Sequence, residues 1–168
     1  MKSRIRVSAG LAVMFSMMAF VMDPSPIAQQ KPAVDEQALK KEVNAFMDQY
    51  WTLWSAGQID QLVAQIYHPS GQLNNTGHSS IEQMKANFPQ TRKTLLDGGY
   101  GRSQMPVRNV CILAPTVAVV SGRGFRYLAD GKVMGEYGWT YTLLKGSAGW
   151  KMVSIYSHDP GRALTCPG

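Results

Sequence analysis

The chain has 168 residues, of which 45% are hydrophobic and 17% charged, enough for one well-buried core and too few to expect two. Its formal net charge of +6 would admit an acidic partner, but three cations, Lys2, Arg4 and Arg6, crowd the first six residues. The others, Lys85, Arg92, Lys93, Arg108, Arg123 and Lys145 among them, are dispersed, without the run or stripe that makes a nucleic-acid footprint.

The N-terminus has the order of a secretory signal: basic residues, an uncharged run from Val7 to Met22, and a break at Asp23-Pro24-Ser25-Pro26. The run is shorter than the roughly 20 apolar residues of a spanning helix and contains Ser8, Gly10 and Ser16. The sequence therefore predicts export to the periplasm or beyond, with membrane attachment only if the segment stays uncleaved. Loss of residues 1–28 removes Lys2, Arg4, Arg6 and Asp23 and leaves 14 basic against 10 acidic residues. A linker over 29–33, a folded domain over 34–160 and a C-terminal tail over 161–168 complete the expected organisation.

In the domain, Leu39, Val43, Phe46, Met47, Tyr50, Leu53 and Trp54 recur at helical spacing. Asp35 is placed to cap this helix, and Gly57 to end it. Ile59, Leu62, Val63 and Ile66 predict a second, shorter helix closed by Pro69, and Gly71–Asn75 a brief strand. Ser79-x-x-Glu82 has the form of a capping box ahead of Ile81, Met84 and Phe88, a third helix that Pro89 should kink or split and Asp97-Gly98-Gly99 should end.

From Gln104 onward the period becomes two, with breaks at Ala114-Pro115, Asp130-Gly131 and Gly146-Ser147. Asp130-Gly131 suits a two-residue hairpin, whose central positions both take positive φ. On the third long strand, Val133, Tyr137, Trp139, Tyr141 and Leu143 are expected on one face, and Met134, Glu136, Thr140 and Thr142 on the other. Helices first and a β-meander second define an α+β class, with the helices packed on a curved antiparallel sheet.

Two cysteines, Cys111 and Cys166, would be free to pair in an oxidising compartment, tying the tail to a strand; Cys111 could equally be a small apolar core residue. Neither lies in a CxxC pair, so zinc and thioredoxin-type readings have no support.

Three features together resemble the SnoaL-like members of the NTF2-like superfamily. They are the helix end Trp54-Ser55-Ala56-Gly57-Gln58-Ile59-Asp60 with Leu62, the segment Tyr67–Gly77, and a last strand opening Gly149-Trp150-Lys151-Met152-Val153. The resemblance implies a cone in which a bent sheet wraps the first helix and leaves an apolar, aromatic-lined pocket open at one end. Such cones house isomerases, cyclases, dehydratases, hydrolases and non-catalytic binders, so fold does not select a chemistry.

Comparison with ketosteroid isomerase, a member of that superfamily, is informative. Its oxyanion tyrosine corresponds to Tyr50, but its basic aspartate falls on Asn74, or on Asn75 with one insertion, and an asparagine accepts no proton. Proton transfer would then rest on His78 or His158, if these converged near Tyr50. A metal site built from His68, His78, His158 and Asp159 has irregular spacing, and neither a metal nor a cofactor is expected.

Arg123 and Arg126 fall on opposite faces of one strand, and Arg123, beside Phe125 and Tyr127, is the candidate to meet a ligand. The ligand-facing set expected in the cone is thus Trp54, Asn74, Arg123, Tyr127, Tyr137, Trp139 and Tyr156. The leading expectation is a cone that binds a small, largely apolar or aromatic molecule, with turnover left open. The alternatives are an acid–base enzyme using Tyr50 with His78 or His158, and a module that forms homodimers through its sheet face.

Overall fold

In the first helix, α1 (Glu36–Ala56), the apolar positions named above are buried together with Trp51. Asp35 caps it, accepting a hydrogen bond from the Ala38 amide at 2.9 Å. Gly57 ends it at φ 73°, a left-handed conformation that suits glycine. Arg92 of the third helix donates to the carbonyls of Trp54 and Ser55 at 2.7 and 2.8 Å, satisfying acceptors that a helix end leaves free. The computed structural model describes residues 35–166; the signal sequence and the whole linker expected before them, and the last two residues of the expected tail, lie outside those residues. Among the described residues no helix is long and apolar enough to cross a membrane.

Helix α2 (Ile59–Ile66) buries Leu62, Val63 and Ile66. Helix α3 (Ile81–Asp97) is capped by Ser80 with Gln83, one residue later than the box expected from Ser79 and Glu82, because Ser79 is held in a strand. Pro89 does not split α3. Lys85 and Pro89 are both exposed, so the carbonyl deprived of its N–H partner faces water rather than the core.

The six strands are β1 (Gln72–Asn74), β2 (Gly77–Ser79), β3 (Tyr100–Ala114), β4 (Val117–Leu128), β5 (Val133–Gly146) and β6 (Gly149–His158). They form one sheet in the order β2-β1-β6-β5-β4-β3, antiparallel except where β1 meets β6. Strand β3 begins four residues before Gln104, and its pairing with β4 shifts register three times, each irregularity adding bend and twist.

The turn at Asp130-Gly131 is a four-residue connection over 129–132. Gly131 donates to Leu128 O, and Leu128 donates to Lys132 O. Within this connection only Gly131 has positive φ, so the two-residue geometry is not formed. A register shift beside Tyr127 also exchanges the first residues of β5. Val133 is exposed, whereas Met134 packs against the core.

The concave face of the sheet carries Trp139, Tyr141 and Leu143 of β5 opposite Gly122, Val120 and Ala118 of β4. A Cβ at Gly124 would collide with the ring of Trp139; its absence lets the indole lie against the strand. Helix α1 fills the concavity and joins its aromatic residues to one continuous core.

The tail crosses the convex face. After a 3-10 turn at Pro160–Arg162, the Leu164 amide donates to Ser121 Oγ at 2.8 Å and Asn109 donates to Leu164 O at 2.7 Å. Cys166 is joined to Cys111 in a disulfide that spans 55 residues. Thiol titration of the unfolded, unreduced protein should therefore find no free cysteine. Cys111→Ala with Cys166→Ala should lower the unfolding free energy by roughly 2–4 kcal/mol, chiefly by freeing the unfolded chain, as measured by urea denaturation.

Candidate functional site

Between α1, α3 and the concave sheet lies a cavity of about 170 Å³. Its apolar wall is aromatic: Tyr50, Trp51 and Trp54 from α1, Tyr67, Phe88 from α3, and Trp139 from β5. These rings brace one another, with centroids 5.2 Å apart for Trp51 and Trp139, 5.7 Å for Trp54 and Phe88, and 5.6 Å for Tyr67 and Phe88, the separations of favourable aromatic pairs. The lining also includes the exposed Thr91 and Ser157.

Tyr50 and Tyr67 of this wall gather with Tyr141 behind it, the Tyr50 ring lying 6.5 Å from Tyr67 and 5.8 Å from Tyr141. Burial pushes the Tyr50 hydroxyl up to about 12, partly offset by Tyr67 and by the positive charge of Arg126. Burial likewise holds Tyr67 and Tyr141 well above the ordinary phenol range. All three are neutral at physiological pH, able to donate a hydrogen bond and poor at taking a proton.

Arg126 lines the same cavity. Its guanidinium lies 4.5 Å from the Tyr137 ring centroid and 5.9 Å from that of Trp139. Its Nε is buried without a hydrogen-bond partner, as are Trp51 Nε1 and Gln72 Oε1, which line the cavity too.

Of the residues expected at a site, Tyr50, Trp54 and Trp139 meet in this cavity. Tyr137 stands behind it, stacked on Trp139 at 5.1 Å and 17°. Arg123, Tyr127 and Tyr156 do not join them. Arg123 pairs with Gly138, and Tyr156 with Thr140, which places both on the convex face, and Arg123 is held there by Glu136 at 2.6 Å. Tyr127 packs with Phe125 on that side.

Neither histidine reaches Tyr50. His158 lies on the convex face, its Nε2 2.9 Å from Thr140 Oγ1 and its Nδ1 2.8 Å from Asp159 O. His78 is exposed, with Nε2 2.7 Å from Ser70 O. It pairs with the outward Leu73, whereas Gln72, on the alternate side of β1, faces the cavity. Asn74 shapes the β1–β2 turn, accepting from the Thr76 amide at 2.9 Å and donating to Ser79 Oγ at 3.0 Å.

The cavity residues missed from sequence are Trp51, Tyr67, Gln72, Phe88 and Arg126, together with Thr91, Ser103, Ile155 and Ser157. For Arg126 a signal exists. Gly122, Gly124 and Arg126 alternate along β4, and the side bearing glycines is the side another ring must approach closely. The face with Phe125 and Tyr127, richer in aromatics, is the outer one.

A larger groove of about 600 Å³ runs outside, between α1 and β3, and shares Trp51 and Ser103 with the cavity. Its polar groups are largely engaged with one another. Arg108 donates to Asn44 Oδ1 at 2.6 Å and to Asp48 Oδ1 at 2.8 Å, and Arg102 lies over Tyr127 at 4.1 Å.

A helix-filled, strongly curled sheet with a ring-lined end pocket defines the cone class of α+β proteins. Residues 41–160 match the family described as NTF2-like protein (DUF6841), and the chain belongs to that family. Among solved structures it is similar to Aln2 from a Streptomyces species, at 15% identity and TM-score 0.62 over 72% of this chain and 90% of that one. It is also similar to an NTF2-like protein with a cystatin-like fold from Novosphingobium aromaticivorans, at 15% identity and TM-score 0.59 over 73% and 83%. A putative calcium/calmodulin-dependent protein kinase II association domain from Xanthomonas campestris is similar at 21% identity and TM-score 0.56 over 70% and 84%. At these identities the likeness is one of fold. No functionally curated protein matches the chain significantly in sequence.

The buried phenols make stability sensitive to alkali. Because the folded-state value of Tyr50 is raised to about 12, its contribution is intact below the unfolded value near 10 and is lost as pH rises through 12. That loss amounts to about 3 kcal/mol for a two-unit shift. Unfolding free energy measured from pH 8 to 12 should fall less steeply in Tyr50→Phe than in the wild type.

Proposed function

We propose that this protein is an exported binder of a small, largely apolar aromatic molecule, held in the cone between α1 and the concave sheet. The observation that carries the reading is the cavity wall of six aromatic side chains around about 170 Å³. An apolar cavity of about 150 Å³ takes a guest the size of benzene, so one ring with a small substituent fits.

Among the described residues, the lining contains neither a carboxylate nor an imidazole, the groups best suited to accept a proton near neutral pH. This favours binding over isomerase or dehydratase chemistry built on Tyr50. The Cys111–Cys166 bond supports export, since such bonds persist in oxidising compartments. The tail bound across the convex face weighs against that face as an open dimer surface.

The test is titration with phenol and toluene, followed by tryptophan emission and thermal unfolding. Binding at Trp51, Trp54 and Trp139 should change emission, and ligand at tenfold its Kd should add about 1.4 kcal/mol to stability. Ile155→Phe, which enlarges a side chain of the lining, should abolish both effects. No response to either compound in the wild type would refute the reading.

A further inference from the structure

We propose that the guest is an organic acid: a one-ring aromatic carboxylate whose anion is held by the guanidinium of Arg126, with the indole N–H of Trp51 as a second donor. The proposal rests on the binding reading above and adds the charge and chemical class of the ligand.

Arg126 is a partly buried cation without a counter-ion. Among the described residues no carboxylate pairs with it, although Arg108 and Arg123 have acidic partners at 2.8 and 2.6 Å. Taking a charge out of water is costly unless it is paired. One acidic residue on the cavity wall would relieve that cost, yet among the described residues the lining contains none.

The compensation it does receive is stacking, with Tyr137 at 4.5 Å from the guanidinium carbon. Stacking occupies the face of a guanidinium. Its N–H donors lie in the plane and stay available, and Nε has no acceptor.

Trp51 Nε1 is a second buried donor without an acceptor, on the same lining as Arg126. Two unpartnered donors, one of them charged, call for an acceptor carrying negative charge, and a planar carboxylate matches the guanidinium fork. The remaining wall is aromatic, which suits the body of the guest to a ring. A second polar feature, the unpartnered Gln72 Oε1, leaves room for one hydrogen-bond donor on that ring.

The test compares benzoate with benzamide, its neutral isostere, by calorimetric titration at pH 7, with toluene as the uncharged reference. Benzoate should bind the wild type about tenfold or more tighter than benzamide, the range of a charge-assisted pair. Arg126→Met should bring the two compounds level, and Arg123→Met, on the convex face, should leave the preference unchanged. Should Arg126→Met fail to fold, phenylglyoxal labelling of the wild type, mapped by mass spectrometry, supplies the same decision. Benzoate, and not benzamide, should protect Arg126.

Equal binding of benzoate and benzamide, or a preference that survives Arg126→Met, would overturn the acid assignment while the aromatic binding of toluene still stood. Absence of binding by all three would overturn the cavity reading itself, leaving Arg126 solvated by water in the cone.

Discussion

Curvature of the sheet depends on how closely Trp139 can approach β4. At Gly124 there is no side chain to hold the indole away, so β5 folds its largest residue inward against its neighbour and the concave side deepens. Trp51 then meets Trp139 at 5.2 Å, and the eight buried residues of α1 have a hollow in which to pack. Since each buried aromatic contributes a large apolar area, this one close approach underlies much of the core. It also leaves a space at the end of α1 that the rings surround without filling.

The two faces of the sheet do different work as a result. The concave side is given to rings and to Arg126; the convex side carries a polar relay that anchors the tail. Ser121 Oγ lies 2.7 Å from Thr140 Oγ1, which lies 2.9 Å from His158 Nε2, and Ser121 also receives the Leu164 amide. His158 is thereby a strand-end group that orders the last residues, and the disulfide to Cys111 closes the same arrangement covalently. A histidine committed to that network is on the wrong side of the sheet to serve the cavity.

Polar satisfaction divides the molecule in the same way. The half-buried Arg92 and Arg108 spend their donors on carbonyls, a side-chain amide and a carboxylate, as such cations ordinarily do, and the exposed Arg123 pairs with Glu136. Among the described residues, three of the five buried side-chain atoms left unpartnered, those of Trp51, Gln72 and Arg126, border the cone, and the other two belong to Tyr141 and Ser154. Polar groups left unpaired in an interior are costly, and the three at the cone are the ones on which the proposed ligand assignment rests.

Local pattern determined the elements of this protein: the apolar stripe from Leu39 to Trp54, the caps at Asp35 and Gly57, and the change to period two that marks the meander follow from backbone geometry over a few residues. Membership of the cone class came instead from the resemblance carried by Trp54–Asp60, Tyr67–Gly77 and Gly149–Val153, and the candidates Tyr50, Trp54 and Trp139 meet in the cavity it implied. The errors are of another kind. Ser80 takes the cap from Ser79 because a short strand claims the earlier residue, and Val133 and Met134 exchange faces because of a register shift. Alternation separates Arg123 from Arg126 yet assigns neither to the inside. Only the closing of the sheet around α1 decided that, because which face of a strand is concave depends on contacts between residues far apart in the chain, here Gly124 with Trp139, and not on the order of residues along either strand.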